Sequence, residues 1–400
     1  MGNPAARFPF IKDRGNHSLR PMGSVDSFLH KKLSDRYSLG NFRKLSCKNI
    51  PFDFTSNDYF GLARNVELFE NIQKKIAELG LKTNGSGGSR LLSGNHEITE
   101  QLEHRLSELF RSESSLVFNS GYNANLALIS SIPQKGDSVL YDQLSHVCLK
   151  EGAWLSKAES FKYFHNDLVD LEKKLAIAKG NKFIVTESVF SMDGDFCPIE
   201  GIIDLADKYD AQIILDEAHS TACYGTNGNG WLCEKGLEDR IFARTYTFGK
   251  GLGAHGACVC GSNDLIDFLI NFGRPFIYTT ALPIHSIITI DEAFHFIKNH
   301  PELRSQLHDK INLFRTEILN SLSDSVNLNL LRETAIQPIV VNGNERIKQI
   351  SDDLQHKGYD VRPILAPSVP QGSERLRITL HVYNSDEEIH GLCKELSIVL

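Results

Sequence analysis

The run TYTFGKGLGAHGACVCGS, residues 245–262, holds one lysine, Lys250, set between glycines with no other formal charge. A buried amine is expensive unless it has a partner or a task. DEAH, Asp216 to His219, closes an apolar run with an acid and follows it with a histidine. NSGYNAN, residues 119–125, ends a strand-like run and opens a helix-like one. The Ser120 hydroxyl and the amides of Gly121 and Tyr122 would then face along a helix N-terminus, a ready anion site. A plain capping turn would read the same way. His146 in LSHVC stands alone, and a lone histidine is commonly satisfied within a core. Jointly, an acid, a histidine, an anion-binding helix start and a glycine-flanked lysine are the parts that hold pyridoxal 5′-phosphate. That cofactor needs an amine for its aldehyde, a carboxylate to keep its ring nitrogen protonated and a cradle for its phosphate.

Competing chemistries fail on context. GLGAHG, Gly251 to Gly256, has the GxGxxG spacing of a dinucleotide loop, but ACVCG after it reads as a strand where a helix is required. A phosphate loop needs Ser or Thr after Gly-Lys, and Lys250 is followed by Gly251. Without that loop, DEAH does not make a nucleotide hydrolase. A net charge of −7 gives no support for nucleic-acid binding. No apolar run is long enough to span a bilayer, and no signal peptide opens the chain. The eight cysteines lack a CxxC pair, which argues for free thiols in the cytoplasm and against a metal site.

The elements that must position these residues follow from periodicity. Residues 1–21 show none and read as a loosely ordered extension. From Ser27 to Leu45 apolar residues fit helical spacing loosely, and Ile98, Leu102, Leu106, Leu109 and Phe110 share one face of a second helix. Residues 86–103, SGGSRLLSGNHEITEQLE, read as turns and then helix. Apolar runs at 116–118, 137–142, 182–188 and 212–220 alternate with helix-like segments. This alternation predicts an α/β fold with a mainly parallel sheet covered on both faces. Ligands bind beyond the carboxyl ends of such strands, where Ser120, Asp142, Ser188, Asp216 and Thr247 fall. Two long helical stretches, 283–299 and 301–322, lead into strand-like TAIQPIVV, a helix, RLRITLHV and a last helix. The expected division is an N-terminal extension and helix (1–50), a large cofactor-binding domain (51–289) and a small α+β domain (290–400).

From about Asp53 onward the sequence resembles the α-oxoamine synthases, pyridoxal-phosphate enzymes of the aspartate-aminotransferase fold (fold type I). TSNDYFGL, GSGGSRLLSGNHEITEQLE, ESVFSMDGD, DEAHS, TFGKGLG, RPFIYTTALP and GSERLRIT occur in the family's order and spacing. The resemblance implies roles. Lys250 is the lysine that bonds the cofactor, Asp216 the acid facing its ring nitrogen and His219 the histidine at its phenolic oxygen. His146 stacks on the ring, and Ser191 is a further contact. Ser120, Gly121, Tyr122 and Thr247 hold the phosphate. Arg377 binds the amino-acid carboxylate, and Asn57 and Ser368 lie on the substrate side. Thr279 or Thr280, with Thr280 favoured, reaches the phosphate of a neighbouring subunit, which implies a homodimer.

Among the family's activities, FHNDLVDLE, DEAHS, TFGKGLG and FIYTTALP read most like the one that condenses L-alanine with pimeloyl-CoA in biotin synthesis. Glycine C-acetyltransferase and serine palmitoyltransferase are alternatives, and the acyl group would come from coenzyme A or an acyl-carrier protein. One departure is Ser34, standing where a family arginine meets the acyl carboxylate, with Arg36, Arg43 or Lys44 as substitutes. A non-catalytic subunit of such an enzyme would be expected to lack the lysine or the acid, and both are present.

Overall fold

The apolar runs become strands: Phe52–Asp53 (β1), Ser114–Phe118 (β2), Ser138–Asp142 (β3), Glu159–Tyr163 (β4), Lys182–Glu187 (β5), Ala211–Asp216 (β6), Ala243–Thr247 (β7), Ala257–Gly261 (β8), Ile336–Val340 (β9), Tyr359–Asp360 (β10), Arg362–Ile364 (β11) and Arg375–Thr379 (β12). This computed structural model describes residues 23–400 apart from 46, 48, 323–330 and 367. The extension expected at residues 1–21 lies outside the described residues.

Seven strands form the central sheet in the order β2-β8-β7-β6-β5-β3-β4. The ladders from β7 to β4 are parallel, and β8 runs antiparallel to β7 and β2. Alternate residues feed opposite faces: Tyr246, Cys258 and Cys260 join one core, Ala243, Ala257 and Val259 another. Both faces are therefore apolar, as a helix-covered parallel sheet requires. The edge strand β4, ESFKY, was not foreseen because its side chains are mostly exposed and carry no apolar run.

A second sheet, β11-β12-β9, is antiparallel throughout. Helix Ile284–Asn299 passes the expected 289/290 division without a break, and β1 pairs in parallel with β10 near the C-terminal sheet. One hydrophobic cluster runs from Phe54 through Phe248 and Phe294 to Leu396, tying the two sheets together. The first described helix, Ser24–Ser38, buries none of its residues and leaves Phe28, Leu29, Leu33 and Tyr37 exposed.

Candidate active site

The carboxyl ends of the parallel strands meet two helix N-termini around a cavity of about 250 Å³. Ser120 caps helix Gly121–Ser131, its hydroxyl accepting the Asn123 amide hydrogen at 3.2 Å. Its extended backbone aims the first free amides of that helix, those of Gly121 and Tyr122, at the cavity. A Cβ at Gly121 would stand 2.4 Å from the Thr247 methyl, so only glycine lets the helix start and β7 approach this closely. The Tyr122 hydroxyl donates to the Glu151 carboxylate, which orients the ring at the rim.

Opposite this cradle, β5 and β6 end in register, with Glu187 beside Asp216. Asp216 Oδ1 accepts the Ala218 amide hydrogen at 2.8 Å, and Oδ2 accepts from Asn125 Nδ2 at 2.7 Å. Glu187 accepts the backbone hydrogen of His146. Burial, reinforced by the Asp216 charge, pushes the Glu187 carboxyl up to about 8. Lys250 projects between these groups, and its amine makes no hydrogen bond among the described residues. Burial lowers its pKa below the ordinary lysine value; Asp216 and Glu187 oppose this, and Arg377 adds to it. The amine is thus biased toward the neutral, nucleophilic form.

His146 and His219 complete the walls. Burial lowers the His146 pKa; Asp216 opposes that, and Lys250 and Lys150 assist it. His219 falls well below the usual range, through burial and then the charges of Lys250, Arg377 and His146. Both rings are neutral near pH 7. Asn57 and Ser191 also line the cavity. Arg377 lies one layer behind, donating to Asn57 Oδ1 at 2.9 Å and to the Ser191 carbonyl at 2.6 Å.

Two expected residues lie apart. Ser368 does not line the cavity; its hydroxyl accepts from Arg43 at 3.2 Å. Thr280 is exposed, while Thr279 is engaged within the chain, its hydroxyl accepting from Asn119 at 2.7 Å. The glycine-rich stretch at 86–103 braces this corner: Arg90 holds Glu103 with two bonds of 2.7 and 2.9 Å, and the Gly88 carbonyl accepts the Ala281 amide hydrogen.

The sequence reading missed Glu187, Asn125, Cys148 and Tyr59. Glu187 ends an apolar strand just as Asp216 does, and Asn125 lies one helical turn after Gly121, so a signal existed for both. Tyr59 had none, because it bonds His219 across 160 residues. The glycines after Lys250 serve the protein's own packing: Gly251 abuts the Thr221 carbonyl, and Gly253, at φ +58°, packs against Leu62 and Ala63. Within DEAH, Glu217 turns away from the cavity and accepts the amide hydrogens of Trp231 and Leu232 at 3.1 and 2.9 Å.

The raised Glu187 carboxyl yields a stability prediction. Between the ordinary glutamate value and about 8 the folded chain holds a proton that the unfolded chain has released, so stability falls as pH rises. Glu187→Gln mimics the protonated form. In cofactor-free protein its melting temperature should gain on the native protein's between pH 5 and pH 8, read by circular dichroism. A constant difference across that range would refute the assignment.

The cavity thus offers a biased amine, a carboxylate held by two donors, two neutral imidazoles and a helix start shaped for an oxyanion. Each need of pyridoxal phosphate has a residue here, and the described residues contain no cluster fit to hold a metal ion. The arrangement and the mainly parallel sheet define a fold-type-I enzyme. Residues 49–396 match the family described as aminotransferase class I and II, and the chain belongs to that family. Within it the chain is an α-oxoamine synthase. A protein of Lysinibacillus sphaericus named 8-amino-7-oxononanoate synthase is 38% identical, covering 86% of this chain and 90% of that one. One of that name from Emericella nidulans is 36% identical, over 86% and 88%. Among solved structures, 8-amino-7-oxononanoate synthase of Francisella tularensis superposes with a TM-score of 0.73 at 27% identity, covering 88% of this chain and 97% of that one. Serine palmitoyltransferase of Sphingomonas wittichii gives 0.84 at 23% identity, over 95% and 98%, a likeness of fold.

Proposed function

We propose that this enzyme uses pyridoxal 5′-phosphate to condense L-alanine with pimeloyl-CoA, releasing coenzyme A and carbon dioxide and yielding 8-amino-7-oxononanoate for biotin synthesis. The observation that carries this reading is the lysine-centred cavity in a chain whose relatives bear that activity's name over most of their length. When bound, the cofactor supplies a protonated pyridine ring that accepts the electron pair left by the departing α-proton.

The chain's own residues do the rest. The Gly121 and Tyr122 amides, with Ser120 and Thr247, bind the phosphate. Asp216 would face the ring nitrogen, its carboxylate fixed in place by hydrogen bonds from Asn125 and Ala218. His146 would cover the ring, His219 would donate to its phenolic oxygen and Ser191 would add a contact. Lys250 would hold the cofactor's aldehyde, and its amine would be the base that takes the α-proton at Nζ. Arg377 receives the amino-acid carboxylate beside Asn57, where its planar fork suits a paired hydrogen bond.

The working unit in this reading is a cytoplasmic homodimer. The exposed Thr280 and the uncovered apolar stripe of helix Ser24–Ser38 support a second copy completing the site. Among the described residues no helix is long and apolar enough to cross a membrane. The test is thiol release from alanine, glycine or serine paired with pimeloyl-, acetyl- or palmitoyl-CoA. Alanine with pimeloyl-CoA should give the highest kcat/KM, and a preference for serine with palmitoyl-CoA would replace this reading with its relative.

A further inference from the structure

Both histidines of the cavity have one ring nitrogen claimed by the protein. Among the described residues neither Nε2 has a partner, whereas each Nδ1 does. His146 is the N-cap of helix Val147–Leu155, and the Cys148 backbone N–H donates to its Nδ1 at 3.3 Å. An N–H can only donate, so this long backbone contact favours a lone pair at Nδ1 without fixing it alone. The Cys148 thiol stands 2.9 Å from the same nitrogen. Burial pushes that thiol's pKa up to about 12, so the sulfur keeps its proton and donates too. From the other side, Asn125 Nδ2 gives one hydrogen to the sulfur at 3.4 Å and another to Asp216 at 2.7 Å.

For His219 the partner is Tyr59, whose hydroxyl oxygen is 2.6 Å from Nδ1 in a buried contact. Either group can donate in such a pair, and the neighbour settles which. The positive charge of the Arg377 guanidinium acts on the Tyr59 hydroxyl. A cation on that side favours an oxygen lone pair turned toward it and the hydroxyl proton directed at His219 Nδ1, 2.6 Å away. Both tyrosine and histidine are almost wholly buried, so water does not compete for these positions.

We propose that Tyr59 and Cys148 are positioning residues that hold His219 and His146 as Nε2–H tautomers, so that each ring presents a hydrogen-bond donor to the cavity. In water a neutral imidazole exchanges between two tautomers, and the fixed partner of one nitrogen decides what the other offers. A lone pair at His219 Nε2 would repel the anionic oxygen it is meant to meet; an N–H attracts it. The tautomers follow from protein groups alone, whereas their use against the phenolic oxygen rests on the cofactor reading above.

The experiment is two-bond proton–nitrogen NMR on the full-length protein labelled with 15N-histidine, with and without pyridoxal phosphate. Signals are assigned by their loss in His146→Asn and His219→Asn. Both rings should show the single Nε2–H pattern in each sample. Tyr59→Phe should cost His219 that single pattern and leave His146 unchanged. Cys148→Ala should raise the Nδ1–H form of His146, and Cys148→Ser, which keeps a donor, should restore the native pattern. A proton on Nδ1 of either native ring overturns the proposal, as do Tyr59→Phe and Cys148→Ala spectra identical to the native one. If the tautomers hold in cofactor-free protein that fails to bind pyridoxal phosphate, the cofactor reading falls and the tautomer assignment stands.

Discussion

Lys250→Ala is expected to lower turnover by at least about 10³-fold, the upper part of the range for losing a positioned proton-transfer group. The fold should survive. Lys250 Nζ makes no hydrogen bond among the described residues, so its removal leaves no orphaned protein donor or acceptor behind. In the proposed reading the variant would also lose the covalent link to the cofactor while keeping Ser120, Gly121, Tyr122 and Thr247 to hold its phosphate. Pyridoxal phosphate should therefore bind more weakly and without the visible absorbance band of the lysine-bound form. Spectra of native and variant protein with equal cofactor decide this. Identical bands would show that another amine holds the aldehyde.

Asp216→Asn should bind the cofactor yet slow exchange of the alanine α-proton by roughly 10²- to 10³-fold, comparable to losing one electrostatic stabiliser of developing charge. An amide is isosteric with the carboxylate and can still accept the Ala218 hydrogen. Its new NH₂ group would face the Asn125 NH₂, two donors in conflict. Asn125 can resolve that by turning over, since its Oδ1 is buried without a partner. The pocket thus stays formed, but the charge proposed to keep a ring nitrogen protonated would be gone. Exchange in deuterated water, followed by proton NMR of alanine, reads the step directly. Native-rate exchange would remove Asp216 from the role.

How much of this was legible depends on the distance over which each feature is specified. The parallel sheet could be read because each apolar run carries its own signal, while β4 escaped because an edge strand buries little. Lys250, Asp216 and the helix start at Gly121 were visible as local breaks in pattern, a charge or a glycine closing an apolar run. Arg377 was placed only by resemblance, since nothing local marks the second arginine of RLRIT. The structure sets it behind Asn57 and Ser191, partners 320 and 186 residues away.

The sequence by itself determined the class of chemistry: which side chains are costly to bury and which strand and helix ends carry them. Tertiary structure alone decided their protonation and orientation. Glu187 becomes a weak acid only because folding buries it and parallel pairing sets it beside Asp216. Tyr59 reaches His219 only because the chain's early and middle segments pack together. Desolvation and through-space charge depend on neighbours brought together by folding, and linear spacing does not record them.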